Sequence, residues 1–363
     1  MTERAALAGL PLLRKFDLIG LQQARLPFGG LTATPASRLA RIFSSPGPIY
    51  DPEGTRLDYW RFARAMFAAG FRPGDIVHNA FSYHLTPGGA MAESGARALG
   101  CPVIPAGTGQ TELQLRVLND IRPPAYVGTP SFLLMLLEKG RELGLDTSSL
   151  CRAVVSGEAL TPAARDRLRD EFGIDAYQLY GTADLGLIAY ETPARAGLVL
   201  DEAMILEIVE PGTGRQLPEG EIGEVVVTAF NPDYPLLRFA TGDLSAVLPG
   251  ESPCGRTNMR IRGWLGRADQ TTKVRGMFVH PQQIHDVRAR HPEIGRARLE
   301  VRSDGTRDAM TLRCEAAGGD GDLAGRVAES VRALTGLRTE VELVAMGSLP
   351  ADGKVIDDRR AAS

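Results

Sequence analysis

Short apolar segments alternate with helical segments through residues 58–179, and this alternation constrains the fold more than any other feature of the sequence. Strands that alternate with helices at this spacing form a parallel sheet, because two parallel strands need a helix-length crossover between them. Ligands of such sheets bind beyond the carboxyl ends of the strands. The predicted strands are 76–79, 100–105, 124–127, 153–155 and 176–179, and the predicted helices are 58–69, 90–99, 111–121, 131–143 and 161–172.

The pattern changes after residue 191, where β-like segments separated by Pro/Gly turns predict a β-rich subdomain. These segments are 204–209, 223–228, 236–239 and 244–248, with a hairpin turn at 211–214. The region before residue 50 is weakly patterned. Residues 44–54 contain three prolines, and we expect them to form turns rather than a strand or a helix.

Residues 266–284 combine glycine, arginine, aspartate and lysine and then reach Pro281, which suggests a joint between two domains. A small α+β pattern follows, with helices at 281–290 and 323–335, strands at 296–302, 309–315 and 340–344, and a polar tail. The sequence therefore predicts an α/β protein. A large N-terminal domain (1–266) has parallel sheets with crossover helices plus the β-rich subdomain, and a small mobile α+β lid domain (267–363) follows it.

Composition excludes several classes of function. The chain has 363 residues, 44% of them hydrophobic, and a net charge of −3, so no bulk electrostatic attraction to nucleic acid or to anionic membranes is expected. It lacks the run of about 18 apolar residues that a spanning helix requires. Four widely separated cysteines indicate a reducing, cytoplasmic compartment. Only Cys254 lies near the β-rich segment, so no zinc site is predicted.

One candidate site lies at the end of the strand 176–179, in the run Gln178-Leu179-Tyr180-Gly181-Thr182-Ala183-Asp184. An aromatic ring can stack on a purine, a hydroxyl can bind phosphate oxygens, and a carboxylate can hold magnesium. Taken alone, such a run is more often an ordinary strand-to-loop turn in which Asp184 caps a helix.

Two further segments carry polar groups at turns. Asp243 follows Thr241-Gly242 at a predicted strand end, where its carboxylate suits a ribose diol, although a simple Gly-Asp turn has the same sequence. Lys354 lies in a glycine-flanked turn near the C-terminus. Such a lysine is usually a solvated charge, but on a domain that folds over a cleft it could stabilise a phosphate or a developing oxyanion.

The order of these segments resembles the adenylate-forming enzyme superfamily. Tyr-Gly-Thr-Ala-Asp at 180–184 is followed by Thr-Gly-Asp at 241–243, Gly-Arg-x-Asp at 266–269 and Leu-Pro-x-x-Gly-Lys at 349–354. Within that superfamily the chain looks most like the phenylacetate–CoA ligase family. The narrower resemblance is carried by Arg-Pro-Gly-Asp at 72–75, Gly-Cys-Pro-Val-Ile-Pro at 100–105, Gly-Gln-Thr-Glu at 109–112 and Val-His-Pro at 279–281.

The resemblance implies an ATP-dependent ligase that adenylates a small aromatic carboxylic acid and transfers the acyl group to coenzyme A, with Mg²⁺. The nucleotide would be bound by Ser156, Gly157, Glu158, Gln178, Tyr180, Gly181, Thr182, Asp243 and Arg267. Asp184 would hold the metal, and Lys354, Thr182 and Asp184 would serve catalysis. Asp269 would be the hinge. Phe81, Tyr83, His84, Pro105, Ala106 and Gly107 would shape the acyl pocket, and a homodimer is possible.

The chain departs from the family at residues 44–54, where relatives have a lysine-containing loop that cradles phosphates. Here the segment has no lysine, and its prolines donate no N–H, while Asp51 and Glu53 would repel pyrophosphate. Three alternatives therefore stay open: slow adenylation with a substitute loop, a different acyl acceptor or a preformed adenylate, or a nucleotide- or acyl-binding protein without catalysis.

Overall fold

The computed structural model describes residues 4–210, 214–265, 267–268, 272–275, 277–279, 281–303, 308–317, 322–350 and 354–360. The chain divides into two compact units, Met1–Leu265 and Gly266–Ser363. None of the described helices is both long enough and apolar enough to cross a membrane.

The first unit begins with a short strand, a helix and a hairpin. These are β1 (Leu13–Arg14), α1 (Lys15–Ala24), β2 (Arg41–Ser45) and β3 (Ile49–Glu53), with 3-10 turns at Arg4–Gly9 and Ala36–Arg38. The β2–β3 hairpin is antiparallel, with Phe43 opposite Asp51. The expectation that prolines exclude a strand here was therefore wrong.

The prolines of this hairpin lie where they cost no ladder hydrogen bond. Pro46 and Pro48 are in the turn between the strands. Pro52 is in β3, two residues after Tyr50, whose backbone N–H and carbonyl both point away from β2 and bond the side chain of Gln22 at 2.8 and 2.9 Å. By the alternation of a strand, the nitrogen of Pro52 also points away from β2.

The parallel sheet predicted from the sequence is confirmed. Its elements are α2 (Phe62–Ala68), β4 (Val77–Asn79), α3 (Gly88–Ala98), β5 (Val103–Pro105), α4 (Thr111–Ile121), β6 (Ala125–Gly128), α5 (Pro130–Leu143), β7 (Arg152–Val155), α6 (Pro162–Phe172) and β8 (Asp175–Thr182). The strand order is β5-β4-β6-β7-β8, all parallel. Helix α6 begins where predicted, because the Thr161 hydroxyl accepts from the N–H of Ala164, and it ends at left-handed Gly173.

The remaining strands of the first unit extend this sheet and build a second one. They are β9 (Gly186–Glu191), β10 (Leu198–Leu200), β11 (Met204–Val209), β12 (Gly223–Ala229), β13 (Phe239–Ser245), β14 (Val247–Leu248) and β15 (Arg260–Ile261). Strands β9, β10, β15 and β14 continue beyond β8, and the second sheet has the order β1-β13-β12-β11. The sequence did not indicate β9 and β10 as strands. Most of the predicted turn at 211–214 lies outside the described residues.

Strand β8 contributes to two cores, which fixes where its side chains point. Tyr177 and Leu179 pack with Met66 of α2 and Met91 of α3. Tyr180 instead packs in the core that includes Phe239 of β13. The alternation along the strand therefore directs Tyr180 toward the second sheet.

The second unit is an α+β fold with its own core, in which Val287, Leu299 and Val327 are fully buried. Its elements are β16 (Thr272–Val274), β17 (Met277–Val279), α7 (Pro281–Arg290), β18 (Ile294–Ser303), β19 (Asp308–Ala316), α8 (Leu323–Thr335), β20 (Glu340–Val344) and β21 (Ile356–Asp358). The main sheet has the order β20-β19-β18-β21. The sequence did not indicate β21, which lies within the predicted polar tail and pairs parallel to β18.

Candidate active site

The motif at 180–184 spans the last three residues of β8 and the start of the tight turn that leads to β9. The Thr182 hydroxyl accepts a hydrogen bond from the N–H of Leu185 at 3.2 Å and so closes the turn. Two glycines are required here: a Cβ on Gly181 would lie 2.5 Å from the carbonyl oxygen of Gly186, and Gly186 itself has φ +73°. These constraints fix the backbone of the turn and therefore the position of Asp184.

Tyr180 and Asp243 meet across the two sheets. The phenol donates to Asp243 Oδ2 at 2.9 Å and lies 3.2 Å from the Thr241 hydroxyl. The indole Nε1 of Trp264 donates to Asp243 Oδ1 at 3.0 Å. Asp243 lies inside β13 and not at a strand end as predicted. No local signal in the sequence pointed to Trp264, which is a third member of this group.

Asp184 is held by Lys15, the first residue of α1. The ammonium nitrogen lies 2.9 Å from Asp184 Oδ2, and the Asp184 side chain is 0% exposed while that of Lys15 is 35% exposed. The two residues are 169 positions apart in the sequence. No local signal in the sequence connects Lys15 with the motif.

A second buried carboxylate, Asp51 of β3, lies next to this pair. Neither of its oxygens has a hydrogen-bond partner among the described residues, and the same is true of Asp184 Oδ1. Burial raises the pKa of Asp51 to about 7; the charge of Asp184 also raises it, and Lys15 opposes the shift. Residues 44–54 therefore form a hairpin with a buried acid, not a loop of exposed backbone N–H groups.

The magnesium role expected of Asp184 does not fit this arrangement. Mg²⁺ in nucleotide sites is bound by one or two carboxylates together with waters and substrate phosphates. Asp184 has no exposed surface through which such partners could approach, and Oδ2 is already paired with an ammonium group. Among the described residues, no cluster of three or more His, Cys, Asp or Glu side chains could hold a metal.

The loops expected to shape the acyl pocket are neighbours. A Cβ on Gly107 would lie 3.9 Å from Tyr83, and one on Gly157 would lie 3.9 Å from Phe81. Asn79 of β4 fixes Tyr83 through a 2.7 Å hydrogen bond to its hydroxyl. Pro105 ends β5, Ala106 and Gly107 follow it, and His84 is exposed.

The loop after β7 carries Ser156, Gly157 and Glu158. The carboxylate of Glu158 accepts from the backbone N–H of Ser131, at the start of α5, at 3.1 Å. Gln178 lies within β8, with its backbone N–H bonded to Glu191 at 3.0 Å. The loops after β4, β5 and β7 thus lie at the carboxyl edge of the parallel sheet, where ligands of such sheets bind.

The second unit carries the remaining predicted residues. Lys354 precedes β21, its side chain is 57% exposed, and its ammonium lies 3.9 Å from Asp357 Oδ1. Arg267 is half-buried. The predicted hinge, Asp269, lies outside the described residues.

Comparison with known proteins identifies the class first. A family model described as AMP-binding enzyme matches residues 58–231. A solved 2-hydroxyisobutyryl-CoA ligase in complex with 2-HIB-AMP and CoA superposes with a TM-score of 0.74 at 28% identity, covering 98% of this chain and 81% of that one. Together with the α/β fold, these matches identify the chain as an adenylate-forming enzyme.

Two curated relatives narrow the assignment. A phenylacetate-coenzyme A ligase of Thermus thermophilus is 35% identical over 84% of this chain and 71% of its own length. One of Pseudomonas putida is 30% identical over 97% of this chain and 85% of its own length. The chain belongs to the phenylacetate–coenzyme A ligase family.

Proposed function

We propose that the chain is an AMP-forming acid–thiol ligase. A small aromatic carboxylate attacks the α-phosphate of ATP and displaces pyrophosphate, and the thiolate of coenzyme A then attacks the acyl carbon and displaces AMP. The contact of Tyr180 with Asp243 supports this best, because it joins the two nucleotide-binding motifs in one buried group. The close relatives with this named activity support it further.

The residues divide into roles that follow from their chemistry. Asp243 accepts hydrogen bonds from the ribose hydroxyls, and Tyr180 positions its carboxylate. The backbone of Gly181 and Thr182 and the loop 156–158 border the nucleotide. Phe81, Tyr83 and Gly107 border the acyl group. Asp184 is given no metal in this scheme, and Arg267 and Asp269 keep their expected roles near the ribose and at the hinge.

Lys354 stabilises the charge that develops at the α-phosphate during adenylation. An exposed ammonium group next to a short strand is held in place by the sheet and still has access to a ligand. The widely spaced cysteines agree with a cytoplasmic enzyme.

Product release tests the proposal directly. The protein is incubated with ATP, coenzyme A and a panel of acids that includes phenylacetate and 2-hydroxyisobutyrate, and AMP and pyrophosphate are measured. We expect AMP to appear with at least one aromatic acid and to require that acid. If folded protein releases no AMP with any acid, the assignment fails.

A second candidate is a nucleotide- or acyl-binding protein without turnover. The observation that favours it is the β2–β3 hairpin, whose strands pair where a phosphate-binding loop is expected. Calorimetry with AMP and with phenylacetyl-CoA separates the two candidates. Tight binding without pyrophosphate release supports the binding protein, whereas acid-dependent AMP release excludes it. A ligase with another acyl acceptor would release pyrophosphate normally but would form no thioester with coenzyme A.

A further inference from the structure

Lys15 lies where three parts of the candidate site meet. Helix α1 packs against β3, which carries Asp51, and against β13, which carries Asp243. Strand β1, immediately before it, pairs with β13. The ammonium group of Lys15 contacts Asp184 of the β8–β9 turn. Lys15 therefore lies beside the β2–β3 hairpin, where relatives have the phosphate loop, and beside both proposed nucleotide-binding motifs.

Lys15 provides the positive charge next to two buried carboxyl groups. Asp184 and Asp51 are both fully buried, and Lys15 is the cation that the structure places against Asp184. A buried carboxylate that loses its partner is strongly destabilising. Asp184 in turn fixes the direction of a flexible side chain, which lowers the entropy that the lysine would lose on binding an anion.

We propose that Lys15 is the cation of the phosphate site and that Asp184 positions it, in the place where a divalent cation would be expected. The inference rests on the proposed nucleotide site. A lysine ammonium has three N–H donors. One of them bonds Asp184, and 35% of the Lys15 side chain is exposed, so a phosphate can approach this side chain from solvent. The ammonium group of Lys15 therefore provides the positive charge that the hairpin at residues 44–54 lacks.

The first test measures binding without metal. The probe is α,β-methylene-ATP, which cannot transfer its adenylyl group to an acid, titrated into the full chain by calorimetry with EDTA or with Mg²⁺. We expect the dissociation constant to change less than about threefold between the two conditions. Binding that requires Mg²⁺ would overturn the proposal.

The second test separates this role from a structural one. Lys15→Met alone leaves Asp184 unpaired and can unfold the protein, so Asp184→Asn is added to remove both charges together. We expect this double variant to stay folded. If Lys15 binds the phosphates, the double variant binds α,β-methylene-ATP in EDTA at least about tenfold more weakly than the wild type does. If Lys15 only neutralises Asp184, the double variant binds like the wild type, and the proposal is wrong.

Two comparisons complete the design. Lys139→Met removes an exposed lysine of α5 that pairs with Glu142, and we expect it to bind as the wild type does. A loss in this control equal to that in the double variant would count against a specific role for Lys15. The wild type could bind α,β-methylene-ATP in EDTA and still release no AMP with any acid of the panel. In that case the proposed function fails, while the role of Lys15 stands.

Discussion

The phenol of Tyr180 donates a 2.9 Å hydrogen bond to Asp243, which lies 63 residues further along the chain. Trp264 donates to the other oxygen of the same carboxylate at 3.0 Å. Both oxygens are therefore occupied by protein donors. Each oxygen can accept a second hydrogen bond, but a ribose diol that binds Asp243 competes with these donors for the same carboxylate. The half-exposed Trp264 is better placed to be displaced than the buried Tyr180.

Trp264→Phe tests this competition. The variant removes the indole donor and keeps an aromatic ring, so we expect the KM for ATP to fall about two- to tenfold, with kcat within about twofold. Steady-state kinetics of AMP release provides the measurement. A rise in KM would mean that Trp264 assists the nucleotide and does not compete with it.

Lys354→Ala tests the adenylation role. We expect acid-dependent pyrophosphate release to fall about 10²–10³-fold, because a cation aimed at developing charge is lost. Thioester formation from synthetic phenylacetyl-adenylate and coenzyme A should be much less affected. Lys139→Ala is the control at another exposed lysine, and equal loss of both half-reactions in Lys354→Ala would contradict the assignment.

Asp51 predicts a pH dependence of stability. Its pKa is raised from 3.8 to about 7, first by burial, so the folded state holds this proton more tightly than the unfolded state does. The stability that the group contributes is therefore complete below about pH 4 and is lost as the pH rises from 4 through 7. Asp51→Asn cannot ionise, and we expect it to exceed the wild type in unfolding free energy at pH 8 by up to about 4 kcal/mol.

Urea denaturation at pH 5 and pH 8 measures this difference. Asp120→Asn, at an exposed position of α4, should give a profile parallel to that of the wild type. If Asp51→Asn is no more stable than the wild type at pH 8, the buried acid is not the source of the pH dependence.

Gly186→Ala tests the turn that holds Asp184. The residue has φ +73°, and a Cβ would lie 2.9 Å from the carbonyl oxygen of Trp60, so we expect a loss of about 3 kcal/mol or more. Gly173→Ala is the matched control, since it has φ +68° with nothing within 4 Å of the added Cβ, and about 1–2 kcal/mol is expected. Equal losses would show that the close approach to Trp60 is unimportant.

Local pattern predicted the regular parts of the fold well. The bounds predicted for α4, α7 and α8 agree with the structure, because each has helical spacing and a clear start or stop in the sequence. The β2–β3 hairpin is hidden in the sequence, because the number of prolines does not show which way their nitrogens face, and an outward-facing Pro52 is compatible with a strand. Strand β21 was missed because a three-residue strand in a charged segment leaves almost no pattern.

The site was less accessible to sequence reasoning than the fold. The motif residues Tyr180 and Asp243 could be named because their order along the chain resembles a known family. Lys15 could not, because its partner is 169 residues away and nothing in the local sequence links them. Contacts of this kind arise from the packing of α1 against two strands, and packing is specified by the whole chain.

The side chain of Gln22 has a consequence for self-association. Its amide bonds both the N–H and the carbonyl of Tyr50, as the backbone of an adjacent strand would. The outer edge of the hairpin is thereby covered at its centre, and the strand of another molecule cannot pair there without first breaking these bonds. Loss of this amide would leave the N–H and the carbonyl of Tyr50 without these two hydrogen bonds at the outer edge of the hairpin, so protection against strand pairing between molecules depends in part on a residue that takes no part in the proposed chemistry.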